Sequence, residues 1–160
     1  AYKAREFSHS ARFIELAGEI NSNMPRHIIS KLAEAMSEHF SLALKGSRVL
    51  IIGMAYKQNV DDMRESPSLV LTEILEERGA TVEYHDSYVP VIPPTREHSE
   101  LSGRTSVDLS AKNLRSYDAV LVSTKHSDID FQLLADNSKL ILDTRNALAG
   151  IRGTAVVVKA

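Results

Sequence analysis

Short, largely apolar runs alternate with helical segments from residue 46 to the end of the chain. Such runs, bounded by turn residues, are typical of strands that are buried on both faces of a sheet. When helices separate the strands, the sheet is mainly parallel and its crossovers are right-handed. The sequence therefore predicts strands at Arg48–Gly53, Thr81–His85, Ala119–Ser123, Leu140–Asp143 and, at an edge, Thr154–Val158.

The segments between these strands carry helix signals. Ser66 is suited to cap a helix over Pro67–Arg78, which Gly79 would end. Helices on both faces of the sheet make a three-layer, Rossmann-like αβα fold with a mainly parallel sheet. The remaining segments are predicted as short helices at Ser110–Arg115 and Asp130–Asp136, a short strand or turn at Ser106–Leu109, and a proline- and charge-rich excursion over residues 86–104.

A long helical arm is predicted before the sheet, over residues 10–42, where apolar residues recur every three or four positions. Pro25 interrupts the pattern without shifting its phase, so the arm is either one kinked helix or two abutting helices. Its apolar stripe would be roughly 40 Å long at 1.5 Å per residue. We expect part of it to pack on another chain or on sequence outside this one. Residues 1–45 are therefore assigned to a helical segment and residues 46–160 to one α/β domain.

The composition is that of an ordinary globular protein. The net charge is −2, from 19 basic and 21 acidic residues, and no run is long enough to span a membrane. Neither nucleic acid nor an anionic membrane is therefore an expected partner. The absence of cysteine excludes disulfides, thiolate metal sites and cysteine nucleophiles from these residues, and a cytoplasmic location is expected. Because the chain begins without methionine, we expect a fragment of a longer protein.

The loop after the first predicted strand carries most of the functional signal. Lys57 and Arg64 flank the acid pair Asp61 and Asp62 in a strand-to-helix connection, where open α/β sheets bind ligands. The loop has neither of the glycine-rich phosphate motifs, so a phosphate held here would need side-chain cations. Arg145 follows a later strand, and the two strand ends can line one edge of the sheet.

The carboxylates around these cations have several interpretations. The pair Asp61 and Asp62 could hold a metal ion, but a structural role is preferred, because Lys57 and Arg64 can neutralise phosphate charge without a metal. Asp61 would bond backbone amides of the loop, and either acid could orient the Arg64 guanidinium. Asp143 would shape the loop that carries Arg145. The six histidines show no zinc-site spacing, and His126, which follows a strand, is not favoured as a base.

The loop after the first predicted strand reads Gly-x-Ala-Tyr-Lys and then Asp-Asp-x-Arg-Glu-Ser-Pro. This motif is similar to a signature of the C-terminal domain of the UDP-glucose/GDP-mannose dehydrogenase family. Residues 4–7 and 13–21 resemble its central helical segment, and Tyr84-His85-Asp86 and residues 143–146 resemble two later landmarks. Within the family, the chain most resembles enzymes that oxidise UDP-N-acetylhexosamines.

The resemblance implies a division of labour among the site residues. Lys57 and Arg145 would bind the UDP-sugar substrate, and Arg64 would face the pyrophosphate of the NAD cofactor. The helical segment would form a homodimer, and a separate N-terminal domain would bind most of NAD. The family oxidises the sugar C6 alcohol to a carboxylate with two NAD⁺, through a cysteine that lies upstream of the matched region. Since this chain has no cysteine, it would contribute binding and positioning but no catalytic residue.

A second class of function is a standalone α/β module for nucleotide binding or dimerisation, such as a flavodoxin-like regulatory domain. A regulatory receiver needs acids at the end of its first strand. Here the first strand is followed by Gly-Met-Ala-Tyr-Lys, which fits that requirement poorly.

Overall fold

A five-stranded, fully parallel sheet forms the centre of the computed structural model, which describes residues 12–160. The expected parallel sheet is confirmed, with strands at β1 Arg48–Ile52, β2 Thr81–His85, β3 Ala119–Val122, β4 Leu140–Asp143 and β5 Val156–Lys159. The strand order is β2-β1-β3-β4-β5, so the order reverses between β1 and β3. Ligands in open α/β sheets bind outside the carboxyl ends of strands at such a reversal.

Helices cover both faces of this sheet, as the Rossmann-like fold requires. The described helices are α1 Arg12–Phe40, α2 Pro67–Glu77, α3 Ala111–Leu114 and α4 Phe131–Asn137, with a 3-10 turn at Ser99–Leu101. One face of the sheet packs against the second half of α1 and against α2, in a core that includes Leu32, Ile51 and Leu75. The other face packs against α3 and α4, in a core that includes Leu50 and Leu134.

The helix starts follow from side-chain caps. The hydroxyl of Ser66 accepts from the amide of Ser68, and Pro67 occupies the first position of α2. Ser110 and Asp130 cap α3 and α4 in the same way. Each cap satisfies a backbone donor that has no partner inside the helix. The short helices predicted around residues 110–115 and 130–136 are therefore confirmed, with the capping residue just outside each.

The first helix has two halves with different surroundings. It continues through Pro25, which selects the single helix from the two expected arrangements. Towards the carboxyl end, Ile29, Leu32 and Met36 are fully buried in the core of the α/β domain. Towards the amino end, an apolar stripe is exposed, formed by Phe13, Ile14, Leu16, Ile20 and Met24. The sequence motif at residues 4–7 lies outside the described residues.

The excursion over residues 86–104 is irregular, as expected. It contains the 3-10 turn and closes through an isolated antiparallel bridge between Val91 and Thr105. Residues 106–109 continue without strand structure, although the Val107 amide donates to the carbonyl of Tyr84. Among residues 12–160, no helix is long and apolar enough to cross a membrane.

Candidate functional site

Three cations from three loops line one cavity at the carboxyl edge of the sheet. Lys57 comes from the loop after β1, Lys125 from the loop after β3 and Arg145 from the loop after β4. The cavity has a volume of about 280 Å³. The remaining lining residues are Tyr56, Gln58 and Thr124. The structure therefore brings Lys57 and Arg145 together, at the edge where the strand order reverses.

None of these three cations has a carboxylate partner among the described residues. Arg145 donates from Nε to the carbonyl of Ser123 at 2.5 Å, which fixes one side of its guanidinium. The Lys57 ammonium lies 5.3 Å from the centre of the Tyr56 ring. Three uncompensated positive charges in a chain of net charge −2 make a site that attracts anions.

The loop that carries Arg145 is held by a buried carboxylate. Asp143 is 1% exposed, and its two oxygens accept from the amides of Arg145 at 2.9 Å and of Leu148 at 2.8 Å. Asn146 adopts a left-handed backbone at φ +53°, which asparagine tolerates better than most residues. Asp143 thus satisfies the backbone of this turn and faces away from solvent.

Arg64 lies apart from this cavity. Its Nε and one terminal nitrogen donate to the two carboxylate oxygens of Asp62, at 3.0 and 2.8 Å, while its side chain remains 89% exposed. The hydrogen bonds from the Arg64 side chain, and then from its amide, lower the pKa of Asp62 to about 2. The sequence predicted that Asp61 would accept the backbone amides of this loop. In the structure Asp62 accepts the Arg64 amide, and Asp61 is exposed without a hydrogen bond in the described chain.

A larger cavity of about 730 Å³ lies beside Arg64. It mixes opposite charges, because Asp61, Asp62, Glu65 and Glu97 line it together with Arg64 and Arg96. A phosphate there would meet four carboxylates but only two cations, and one of those cations, Arg64, already binds a carboxylate. The smaller cavity at Lys57 is lined by cations without carboxylates and is therefore better suited to an anion, despite its size.

The loop after β1 is packed tightly beneath this site. Gly53 has φ +86°, and a side chain there would lie 2.5 Å from the Thr124 carbonyl oxygen. The Thr124 hydroxyl donates to the carbonyl of Ala55 at 2.7 Å. His126 is fully buried below the loop. Within residues 12–160, no three histidine or acidic side chains converge in a way that could hold a metal ion.

Residues 50–150 match the model of the UDP-glucose/GDP-mannose dehydrogenase family, UDP binding domain. The match covers well over half of the chain, including all three cations of the cavity. The chain belongs to this family. The identification of the family from the loop motif is thereby confirmed.

Individual relatives agree with this assignment. The UDP-N-acetyl-D-mannosamine dehydrogenase of Methanococcus maripaludis is 32% identical over 145 residues, which cover 89% of this chain and 32% of that protein. The UDP-glucose 6-dehydrogenase of Rickettsia bellii is 26% identical over 147 residues, which cover 86% of this chain and 32% of that protein. The structure of the UDP-D-ManNAc dehydrogenase of Pyrococcus horikoshii superposes with a TM-score of 0.76 at 23% identity. The match covers 98% of this chain and 35% of that one. This UDP-binding domain thus spans about a third of the length of its relatives.

Sequence reasoning did not single out two lining residues of the cavity, Lys125 and Tyr56. Lys125 follows a strongly predicted strand, so its position at a carboxyl end was the available signal. Tyr56 belongs to the recognised motif, but only the structure shows that its ring lies beside the Lys57 ammonium.

Proposed function

We propose that this chain is the UDP-sugar-binding portion of an NAD-dependent nucleotide-sugar 6-dehydrogenase. The substrate class is a UDP-N-acetylhexosamine, such as UDP-GlcNAc or UDP-ManNAc, whose C6 hydroxyl is oxidised to a uronic acid for surface polysaccharide synthesis. Lys57 and Arg145 bind the substrate diphosphate. The chain supplies no catalytic residue and is inactive by itself. The names of its relatives support this substrate class, since several are UDP-N-acetyl-D-mannosamine dehydrogenases.

The single observation that carries the proposal is the cluster of Lys57, Lys125 and Arg145 around one cavity, without a carboxylate partner in the part of the chain that the structure describes. A planar guanidinium can bond two phosphate oxygens at once, whereas the ammonium groups act as point charges. The Arg145 guanidinium is held from behind by the Ser123 carbonyl, so its terminal nitrogens remain available to a ligand. A guanidinium that is already held in one orientation loses little freedom on binding, which favours affinity.

Arg64 is proposed to contact the pyrophosphate of NAD, which accepts hydride when bound to the full-length enzyme. The residue fits that role in two respects. Its guanidinium is exposed, and Asp62 occupies only Nε and one terminal nitrogen. Asp62 holds the side chain in one orientation, so the remaining terminal nitrogen can donate to an incoming phosphate.

The helical segment is proposed to form the homodimer of the full-length protein. Its first half exposes five large apolar side chains on α1, and Phe13 is 84% exposed. A continuous apolar surface of this kind marks an interface. Analytical ultracentrifugation should show self-association that the paired change Leu16→Glu and Ile20→Glu abolishes; a monomeric wild-type chain would contradict the proposal.

Calorimetric titration of the chain with UDP tests the phosphate site. We expect weak binding, and each of Lys57→Ala and Arg145→Ala should reduce the affinity about tenfold or more. The reason is that a hydrogen bond to a charged group contributes roughly 1.5–3 kcal/mol. Uridine without phosphates should bind less tightly than UDP and should not distinguish the variants.

Lys139→Ala provides the matched control, because Lys139 is a lysine at the opposite edge of the sheet and is paired with Asp118. Its affinity for UDP should equal that of the wild type. The proposal fails if the wild-type chain shows no UDP binding at millimolar concentration, or if all three variants bind UDP equally.

A further inference from the structure

A buried carboxylate organises the backbone beneath the candidate phosphate site. Asp86 follows β2 and is 1% exposed. Its Oδ2 accepts from the amides of Met54 at 2.6 Å and Ala55 at 2.9 Å, both in the loop that carries Lys57. Its Oδ1 accepts from the amides of Tyr88 and Val89, at 2.8 and 3.1 Å. Four backbone donors therefore compensate the buried negative charge, as a buried carboxylate requires.

The ring of His126 extends this arrangement to the far end of the same loop. It is fully buried, and Nε2 lies 3.0 Å from Oδ2 of Asp86. On its other side, Nδ1 accepts from the amide of Asn59 at 2.9 Å. The Tyr88 ring stacks on the imidazole, with 4.9 Å between ring centres. Both ring nitrogens thus have a protein partner, and the ring is not available to a ligand.

These partners determine the protonation state of the ring. The amide of Asn59 can only donate, so Nδ1 must be the unprotonated acceptor. Nε2 then carries the proton and donates to the carboxylate of Asp86. A second proton at Nδ1 would face the Asn59 N–H and break that hydrogen bond. The geometry therefore requires the neutral imidazole with its proton on Nε2.

Lys57 lies midway between the two attachment points. Asp86 holds the amides of residues 54 and 55 directly, and it holds residue 59 through His126. Asn59 is fixed further, because its side-chain oxygen accepts from the amide and hydroxyl of Ser127 at 2.9 and 3.1 Å. These hydrogen bonds also maintain the left-handed backbone of Asn59, at φ +60°.

We propose that Asp86 and His126 act together as positioning residues that hold residues 54–59 and thereby fix Lys57 for phosphate binding. The inference rests on the proposed phosphate-binding role of Lys57. Neither residue touches the ligand. They order the loop before the ligand binds, so that the entropy cost of ordering it does not reduce the affinity. Only the Nε2-protonated, neutral form of His126 can serve both partners.

Two variants of His126 separate this role from simple packing. His126→Phe keeps an aromatic ring against Tyr88 and loses both hydrogen bonds. His126→Gln keeps one donor and one acceptor on the same side chain. His98→Phe is the matched control, because it makes the same substitution at a histidine whose partner is Glu73, outside residues 54–59. Each is measured by backbone amide hydrogen exchange and by titration with UDP.

In His126→Phe, exchange at the amides of residues 55–59 should accelerate about tenfold or more, while the amides of β3 keep their wild-type rates. UDP affinity should fall about tenfold, the effect of losing one well-placed contact. His126→Gln should recover most of both losses, and His98→Phe should stay within about threefold of the wild type in both measurements. Nitrogen NMR of the wild-type ring should show the neutral Nε2–H tautomer.

Three results would overturn the inference. The first is an imidazolium or an Nδ1–H tautomer for His126 at neutral pH. The second is exchange in His126→Phe that accelerates equally in the loop and in β3, which would show a general loss of stability. The third is a mobile loop with unchanged UDP affinity. If the wild type binds no UDP, the proposed function fails, whereas the exchange pattern and the tautomer still decide whether the two residues hold the loop.

Discussion

Cations at the amino edge of the sheet have carboxylate partners in the described chain, whereas the cations around the cavity at the carboxyl edge do not. At the amino edge, Arg48 pairs with Glu83 at 2.7 Å, and Lys139 pairs with Asp118 at 2.9 Å. At the carboxyl edge, the three cations around the cavity have no carboxylate partner in the described chain, and one of them is braced by a backbone carbonyl instead. Both edges are exposed, so solvent access alone does not explain the difference.

Pairing separates the structural charges of the sheet from the charges that are available to UDP. Arg48 also lies 4.9 Å from the centre of the Tyr117 ring, so its guanidinium is surrounded by protein groups. Within residues 12–160, Lys57 and Lys125 have no ion pair, and the Tyr56 ring lies beside the Lys57 ammonium. An anionic ligand would complete the carboxyl edge, whereas the amino edge is already neutralised.

Arg64 allows a strong test of this distinction, because it lies on the carboxyl side of the sheet but is paired. Arg64→Ala should leave UDP affinity within about twofold of the wild type, yet raise the Michaelis constant of the proposed full-length dehydrogenase for NAD⁺ about tenfold. Steady-state kinetics and calorimetry measure the two effects. If Arg64→Ala loses as much UDP affinity as Lys57→Ala does, the pairing of a cation with a carboxylate does not tell whether that cation binds UDP.

The same variant has a pH signature. The pKa of Asp62 is lowered from 3.8 to about 2, chiefly by the side chain of Arg64. The pair is therefore intact above pH 3.8 and is lost as the pH falls towards 2. Carboxyl NMR titration should find the pKa of Asp62 restored towards 3.8 in Arg64→Ala. An unchanged pKa would show that another group stabilises this carboxylate.

Lys125 should have a smaller effect than Lys57. Its side chain lines the cavity without a hydrogen bond or ion pair from residues 12–160 that fixes it, and exposed charges are screened by salt. Lys125→Ala should lower UDP affinity about threefold in dilute buffer, with a smaller difference near 1 M salt. Titration at two ionic strengths measures this. A salt-independent loss would indicate a specific hydrogen bond rather than a contribution to the local potential.

Removing a paired cation should have the smallest effect. Lys139→Ala should cost about 0.2–1 kcal/mol of unfolding free energy, because its pair with Asp118 is partly exposed. Burial raises the pKa of Asp118, but hydrogen bonds from the Arg48 amide and Lys139 outweigh it and lower that pKa below 3.8. The contribution is thus present above pH 3.8 and lost below it. Denaturation of the variant and the wild type should converge in acid; a constant difference would contradict this sign.

The strands were predicted closely because each buried strand is a short apolar run bounded by turn residues, a signal contained in the local sequence. The observed β4 matches its predicted bounds, and β1 ends one residue earlier than predicted, where Gly53 turns the chain. Lys57 and Arg145 were found as cations at strand ends, since parallel strands bring those ends to one edge. The family motif added the expectation that they bind a nucleotide sugar.

Long-range partners could not be read from the sequence. His126 and Asp86 are 40 positions apart, and nothing in their spacing indicates that one side chain bonds the other. The acid pair shows a finer limit, because either Asp61 or Asp62 could have bonded the loop amides. In the folded turn it is Asp62 that accepts these hydrogen bonds, because its carboxylate reaches both the amide and the side chain of Arg64.

A crystal structure of this chain with UDP tests the central claim most directly. The account predicts phosphate oxygens within about 3.2 Å of the Lys57 ammonium and the Arg145 guanidinium, in the cavity at the carboxyl edge. The competing location is the larger cavity beside Arg64, lined also by Arg96 and His98. A diphosphate bound there, with Lys57 and Arg145 left in solvent, would contradict the account.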